Sequence, residues 1–212
     1  MSTDDWITAR AASRILAESG VSRQQSRRVL TAGLAGPPRR TPGAVLHREA
    51  HVRALAEWTP LDHGELDRSC PGGVLVARLG PGREPEPAWS WDERVAAWTT
   101  HPDVGLYARL QVAGRLTDHG SLPFVVTLCG YPVLTADLTG IRGDPDHPGA
   151  AVMDLAEAGS WTRLLERRRL VTSPGPPWLL TGAQPYLGRA ARASAATRRR
   201  GDPRRTVWSL GA

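Results

Sequence analysis

The sequence predicts an α+β protein, with an all-helical N-terminal module followed by a mixed α/β domain that carries a small antiparallel sheet. Three observations predict this class. Residues 8–32 place apolar side chains at helical spacing and break once, at Ser19-Gly20. Residues 74–79, 122–129 and 133–138 are short apolar runs bounded by Gly and Pro, the pattern of strands. The 22 glycines and 18 prolines imply many turns, so elements should be short. At 212 residues, one or two domains are expected. Cys70-Pro71-Gly72-Gly73 marks the boundary, giving residues 1–70, an α+β domain over 71–187 and a basic tail over 188–212.

The first helix starts at Thr8, a good cap ahead of the helix formers Ala9-Arg10-Ala11-Ala12. Ala11, Ala12, Ile15 and Leu16 share one face, and Arg10, Arg14 and Glu18 the other. Gly20 gives the backbone freedom for a turn, and Val21 is its apolar plug. Ser22 caps a second helix whose inner side is Val29 and Leu30. Arg23, Gln24, Gln25, Arg27 and Arg28 cannot all be buried and should form its outer face. Two short helices joined by a tight turn, the second studded with Arg and Gln, have the outline of a helix-turn-helix. Arg can pair with guanine and Gln with adenine in a major groove, while further Arg holds phosphate.

Gly33 stops the second helix and Leu34 returns to the core. The stiff basic stretch from Gly36 to Gly43, before Ala44-Val45-Leu46, reads as a hairpin wing presenting Arg39, Arg40 and Thr41. Glu49 to Trp58 is helical with Val52 and Leu55 inward, and Pro60 ends it.

At this point the chain resembles the winged helix-turn-helix of the MerR and excisionase-like superfamily. The matching residues are Gly20, Val21, Ser22, Arg27, Gly33, Leu34, Pro38, Arg39, Leu46, Val52 and Leu55, about a quarter of the chain. In that superfamily the second helix enters the major groove and the wing contacts the backbone. The resemblance therefore implies groove contacts from Arg23, Gln24, Arg27 and Arg28, and wing contacts from Arg39 and Arg40. MerR regulators continue into a long dimerising helix; here Trp58 to Gly64 breaks the chain first.

The remainder is less specific. Leu61 to Arg68 should form a short helix that finishes the first domain, and Val74 to Leu79 a strand. Arg83 to Pro87 is a polar loop, and Trp91 to Thr99 a helix. The alternation of Leu106, Ala108, Leu110 and Val112 favours a strand over Leu106 to Leu116. Leu122 to Cys129 and Val133 to Leu138 suit an antiparallel hairpin, and Asp144 to Gly149 is a loop. Val152 to Leu170 is the longest helical pattern of this half, weakened in its middle by Gly159, with Arg163, Arg167, Arg168 and Arg169 outward. Pro174 to Pro177 is a linker, and seven Arg follow from Arg189 onward.

Charge and motifs narrow the function. The formal charge is +6, and all 27 basic residues are Arg. That balance suits a polyanionic partner, although a GC-rich coding bias would produce the same usage. Cys70 and Cys129 have no CxxC spacing and are expected as reduced thiols, Cys129 buried and inert. The acidic N-terminus has no apolar run of a signal peptide, and no stretch reaches the ~18 apolar residues of a membrane span. Asp144, Asp146 and His147, like Asp118-His119, have no second cluster to close a metal site. Phosphate loops, nucleophile elbows and zinc motifs are missing. The expectation is a sequence-specific double-stranded DNA-binding protein, a transcriptional regulator, that is not an enzyme and uses no cofactor or metal. A homodimer on paired half-sites, a cytoplasmic, nucleoid-associated location and a possible protein partner for the second domain go with it. The alternatives are an architectural, excisionase-like or chromosome-organising factor, and a protein-interaction adaptor that does not meet DNA.

Overall fold

A strand, not a helix, is the first element in the computed structural model, which describes residues 5–82, 85–86, 89–98, 100–101, 104–147, 149–171 and 177–182. Strand β1 (Trp6–Thr8) leads into α1 (Ala9–Glu18) and α2 (Arg23–Thr31), then β2 (Arg39–Thr41), β3 (Ala44–Arg48) and α3 (Glu49–Ala56). The three strands form one antiparallel sheet in the order β1-β3-β2. The expectation of an all-helical N-terminal module is thereby corrected. Trp6-Ile7-Thr8 has the aromatic and β-branched composition of a strand, but its partner, with Trp6 opposite Arg48, lies far along the chain. No local pattern exposes such a pairing.

The helices are set by their ends. Thr8 accepts a hydrogen bond from the Ala11 amide at 3.3 Å. Ser22 and Gln25 form a reciprocal capping box: Ser22 Oγ accepts from the Gln25 amide, and Gln25 Oε1 accepts from the Ser22 amide at 2.9 Å. Between the helices Gly20 sits at φ +81°, a conformation that disfavours side-chain-bearing residues. Ala12, Leu16, Val21, Val29, Leu30, Val52 and Leu55 fill the core beneath.

The second half is built on a six-stranded mixed sheet, which corrects the expected small antiparallel one. Its strands are β5 (Leu75–Arg78), β6 (Thr100–His101), β7 (Leu122–Leu128), β8 (Tyr131–Gly143), β9 (Ala151–Glu157) and β11 (Trp178–Leu180). They lie in the order β11-β5-β7-β8-β9-β6, with β5 parallel to β7 and the other neighbours antiparallel. The anticipated hairpin is its centre, β7 and β8. Helix α5 (Trp91–Trp98) precedes β6, and α6 (Leu106–His119) precedes β7. A shorter pairing joins β4 (Thr59–Leu61) in parallel to β10 (Arg168–Leu170), with α4 (His63–Ser69) following β4.

Two further element assignments change. Leu106 to Leu116 is helical, because the alternating leucines are not the buried ones. Leu106 and Leu110 are 64% and 60% exposed, whereas the half-buried Ala108 and Leu116 and the buried Val112 and Arg115 follow helical spacing. Val152 to Leu170 is not a helix but β9, a 3₁₀ turn (Ser160–Leu165) and β10. β9 is held along β8, and the Asp137 carboxylate on β8 accepts from the Gly159 amide and from Trp161 Nε1, at 3.1 and 2.6 Å. That pair pins the chain where a helix would have had to pass through Gly159.

The halves share their interiors. Tyr131, at the start of β8, is fully buried in the N-terminal core, its ring 5.6 Å from that of Trp58. Leu61, Leu66 and Cys70 pack with Val74, Val76, Val125, Leu165 and Leu170 in a third cluster. Arg167 pairs with Glu57 and Arg168 with Glu65, each at 2.7 Å. Gly130 lies at φ +90°, and a Cβ there would strike the Leu170 carbonyl, so the crossing needs glycine. The linker over residues 174–177, apart from Pro177, and the tail over 188–212 lie outside the described residues, as do residues 83, 84 and 87 of the polar loop. Among the described residues no helix is long and apolar enough to cross a membrane.

Candidate nucleic-acid interface

On α2 the buried positions are Ser26, Val29 and Leu30. Ser26 satisfies its hydroxyl by donating to the Ser22 carbonyl at 2.9 Å, which lets a polar residue face the core. Arg23, Gln24, Arg27 and Thr31 are exposed on the remaining arc. α1 runs alongside, and the two helices bound an open groove of about 1050 Å³ lined by Arg10, Ser13, Arg14, Arg23, Gln24 and Arg27, with Ala9 and Ala17. Four guanidinium groups therefore face one concavity, and no Asp or Glu lines it among the described residues. Arg and Gln in one groove provide donors for phosphate oxygens and base edges.

Arg10 and Arg14 belong to this surface although the sequence reading placed them only on the outer side of α1. Their signal was available: an exposed i, i+4 arginine pair on the helix before the turn.

The sequence-selected residues of α2 separate into two groups. Arg23, Gln24 and Arg27 line the groove with α1. Gln25 and Arg28 lie on the opposite flank, toward the sheet. The Gln25 amide oxygen closes the capping box, while Arg28 Nη2 donates to the Leu79 and Gly80 carbonyls, both at 2.8 Å. Arg28 thus ties α2 to the segment after β5.

The expected wing falls on the β2–β3 hairpin, with Arg39, Arg40 and Thr41 exposed on its edge strand. Strand alternation sends Arg39 and Arg40 to opposite faces. The Arg39 guanidinium lies 6.0 Å from the Trp6 ring centre and that of Arg48 lies 5.4 Å from it, so the indole of β1 braces the wing. Thr41 Oγ1 donates to the Ala44 carbonyl at 3.0 Å and closes the turn. Behind the wing, buried His47 is pushed below the ordinary histidine range by desolvation, and its Nδ1 has no hydrogen-bond partner among the described residues.

Elsewhere, no group of three or more His, Cys, Asp and Glu side chains is placed to hold a metal ion among the described residues. Asp144 accepts from the Asp146 amide and contacts His147 within a surface turn, and those hydrogen bonds hold its carboxyl below the usual range. Cys70 is buried, and burial raises its thiol. Cys129, expected to be buried, is only half-buried, at φ +54°, on the wall of a cavity beside α2. No family model matches the chain, and neither does a curated protein or a solved structure.

Proposed function

We propose that this protein binds double-stranded DNA in a sequence-selective way, as a transcriptional regulator. The observation that carries the reading is the groove between α1 and α2, where Arg10, Arg14, Arg23 and Arg27 converge around Gln24 with no Asp or Glu among the described lining residues. In this reading Gln24 and Arg27 reach base edges, because they stand on the exposed arc of the second helix. Arg10, Arg14 and Arg23 hold phosphates, and Arg39 and Arg40 of the wing take the flanking backbone. One small module holds DNA modestly, so two copies on paired half-sites complete the proposal and place the protein on the nucleoid.

Selection of bound fragments from a random duplex pool tests this. Arg27→Ala should lose discrimination at one or two positions, worth about 1–3 kcal/mol. The double variant Arg10→Ala/Arg14→Ala should weaken all sequences alike and lower the salt slope by about two. Arg28→Ala should leave the selected sequence unchanged while lowering thermal stability, since its guanidinium holds carbonyls of the chain itself. An unaltered preference in Arg27→Ala, or no selection by the unmodified protein, would refute the reading.

A further inference from the structure

Helix α6 turns an uncharged face to solvent. Five large apolar side chains stand exposed among the described residues, and three of them, Leu106, Tyr107 and Leu110 at 64%, 67% and 60%, lie within its first five residues. A surface helix ordinarily carries charged groups on its outer side. Here both arginines of the helix turn to the protein instead. Arg109 Nη1 donates to the Ala150 carbonyl at 3.1 Å, and buried Arg115 donates to the Gly72 and Thr181 carbonyls. The outward arc continues at helical spacing with Ala113, Gly114 and Thr117, so it bears no charge from Leu106 to Thr117. Thr117 directs its hydroxyl hydrogen back into the helix, to the Ala113 carbonyl at 3.0 Å.

The arc divides by size. Its N-terminal half is large and its C-terminal half small, and a glycine within a helix weakens it unless another surface approaches closely there. Such a face complements itself. Laid antiparallel on a second copy, about a twofold axis at the level of Val112, Leu110 comes opposite Gly114 of the partner subunit and Tyr107 opposite Thr117 of the partner subunit. One register thus seats large against small at both places. Charge agrees with that direction. The N-terminal end of α6 has no side-chain cap at Gly105 and no acidic residue in its first turn. Antiparallel pairing sets the carbonyl end of the partner helix, with its partial negative charge, beside that positive end.

We propose that α6 is the face through which two copies of this chain pair, antiparallel and by equal contacts. A 14-residue helix is about 21 Å long, so each face covers on the order of half of the about 800 Å² that one partner of a standard complex buries. The pair is therefore reversible and weak, and it closes where copies are held side by side. Two DNA half-sites would hold them so, and for that use alone the inference rests on the DNA reading. The pairing itself is measured without DNA.

Sedimentation velocity of the full chain without DNA, over a rising series of concentrations, tests the proposal. A reversible monomer–dimer equilibrium is expected. Leu110→Glu places two carboxylates near the twofold axis and should weaken dimerisation tenfold or more. Val171→Glu, at an exposed apolar residue just after β10, should leave it unchanged. Gly114→Leu fills the space that Leu110 would enter yet favours the helix, so it should weaken pairing with no loss of thermal stability, which separates pairing from folding. A chain that stays monomeric at every concentration, its α6 face taken by another segment or another protein, would overturn the assignment. So would a dimer that survives both Leu110→Glu and Gly114→Leu, since its contact would lie elsewhere. A dimer sensitive to both variants, in a protein that selects no DNA sequence, would uphold the pairing and remove the DNA reading alone.

Discussion

His47 is a buried titratable group whose desolvation links the stability of the N-terminal sheet to pH. It lies under the β2–β3 hairpin, opposite Ile7 in the β1–β3 pairing, and burial lowers its affinity for a proton below the ordinary histidine range. In the unfolded chain the ring takes up its proton near its ordinary value of 6.5. Between that value and the lowered one of the folded state, the unfolded chain binds the extra proton. The contribution of His47 is therefore fully present above pH 6.5 and is lost as pH falls toward the lowered folded value. Thermal melts at pH 7.5 and pH 5 should show a drop in the midpoint at the lower pH that is reduced in His47→Phe; an equal drop in both proteins would remove His47 as its source. At the same scale, residue type revealed more than residue role. Arginine and glutamine on α2 were legible from their spacing, but the sequence could not reveal that Arg28 finds two carbonyls 51 and 52 residues away. A guanidinium that meets a phosphate and one that meets a carbonyl look alike until the fold brings the acceptor.

At the level of elements, local signals were readable wherever the stabilising contact is itself local. Thr8 and Ser22 cap their helices by contacts three residues away, within reach of a pattern. Ser22→Ala removes one half of a reciprocal box and should lower stability by about 1 kcal/mol, measurable as a shifted denaturation midpoint with an unchanged slope. A loss of nothing would show that water replaces the cap. Strand β1 and the β9–β10 region escaped because their partners are remote: Trp6 needs Arg48, and Trp161 needs Asp137. In α6 the alternating leucines misled because the helix leaves Leu106 and Leu110 exposed, together with Tyr107. An apolar residue in water contradicts the assumption from which periodicity is read, that apolar means inward. The same separation divides the candidate groove, where the α1–α2 face is a local construction and the brace of the wing on Trp6 is not.

For the whole molecule, the decisive feature is that the two halves are not independently filled. Tyr131 enters the N-terminal core from the sheet and is fully buried there, yet its hydroxyl has no partner among the described residues. Tyr131→Phe keeps the ring and removes the unsatisfied group, and so should hold or slightly raise stability. Tyr131→Ala empties a space in a shared core and should cost about 3–5 kcal/mol. Both halves should then unfold in one transition at a lower midpoint, followed in parallel by tryptophan fluorescence and far-ultraviolet dichroism. A variant in which the sheet melts separately from the helices would show that the shared interior does not couple them.

The crossing at Gly130 gives that coupling a further meaning. Strand β10 returns from late in the sequence to lie beside β4, donates its Leu170 amide to the Gly130 carbonyl at 2.8 Å, and through Arg169 reaches Ser19 at the turn between the first two helices. A late segment thus completes the seating of an early one. During synthesis the N-terminal helices leave the ribosome long before the strand that fixes their pose, so the emerging chain would carry an unseated α2 until residues near 170 have followed. The groove would acquire its final orientation only after β10 has followed, and a chain interrupted before β10 would present the right side chains on a support that does not hold them still.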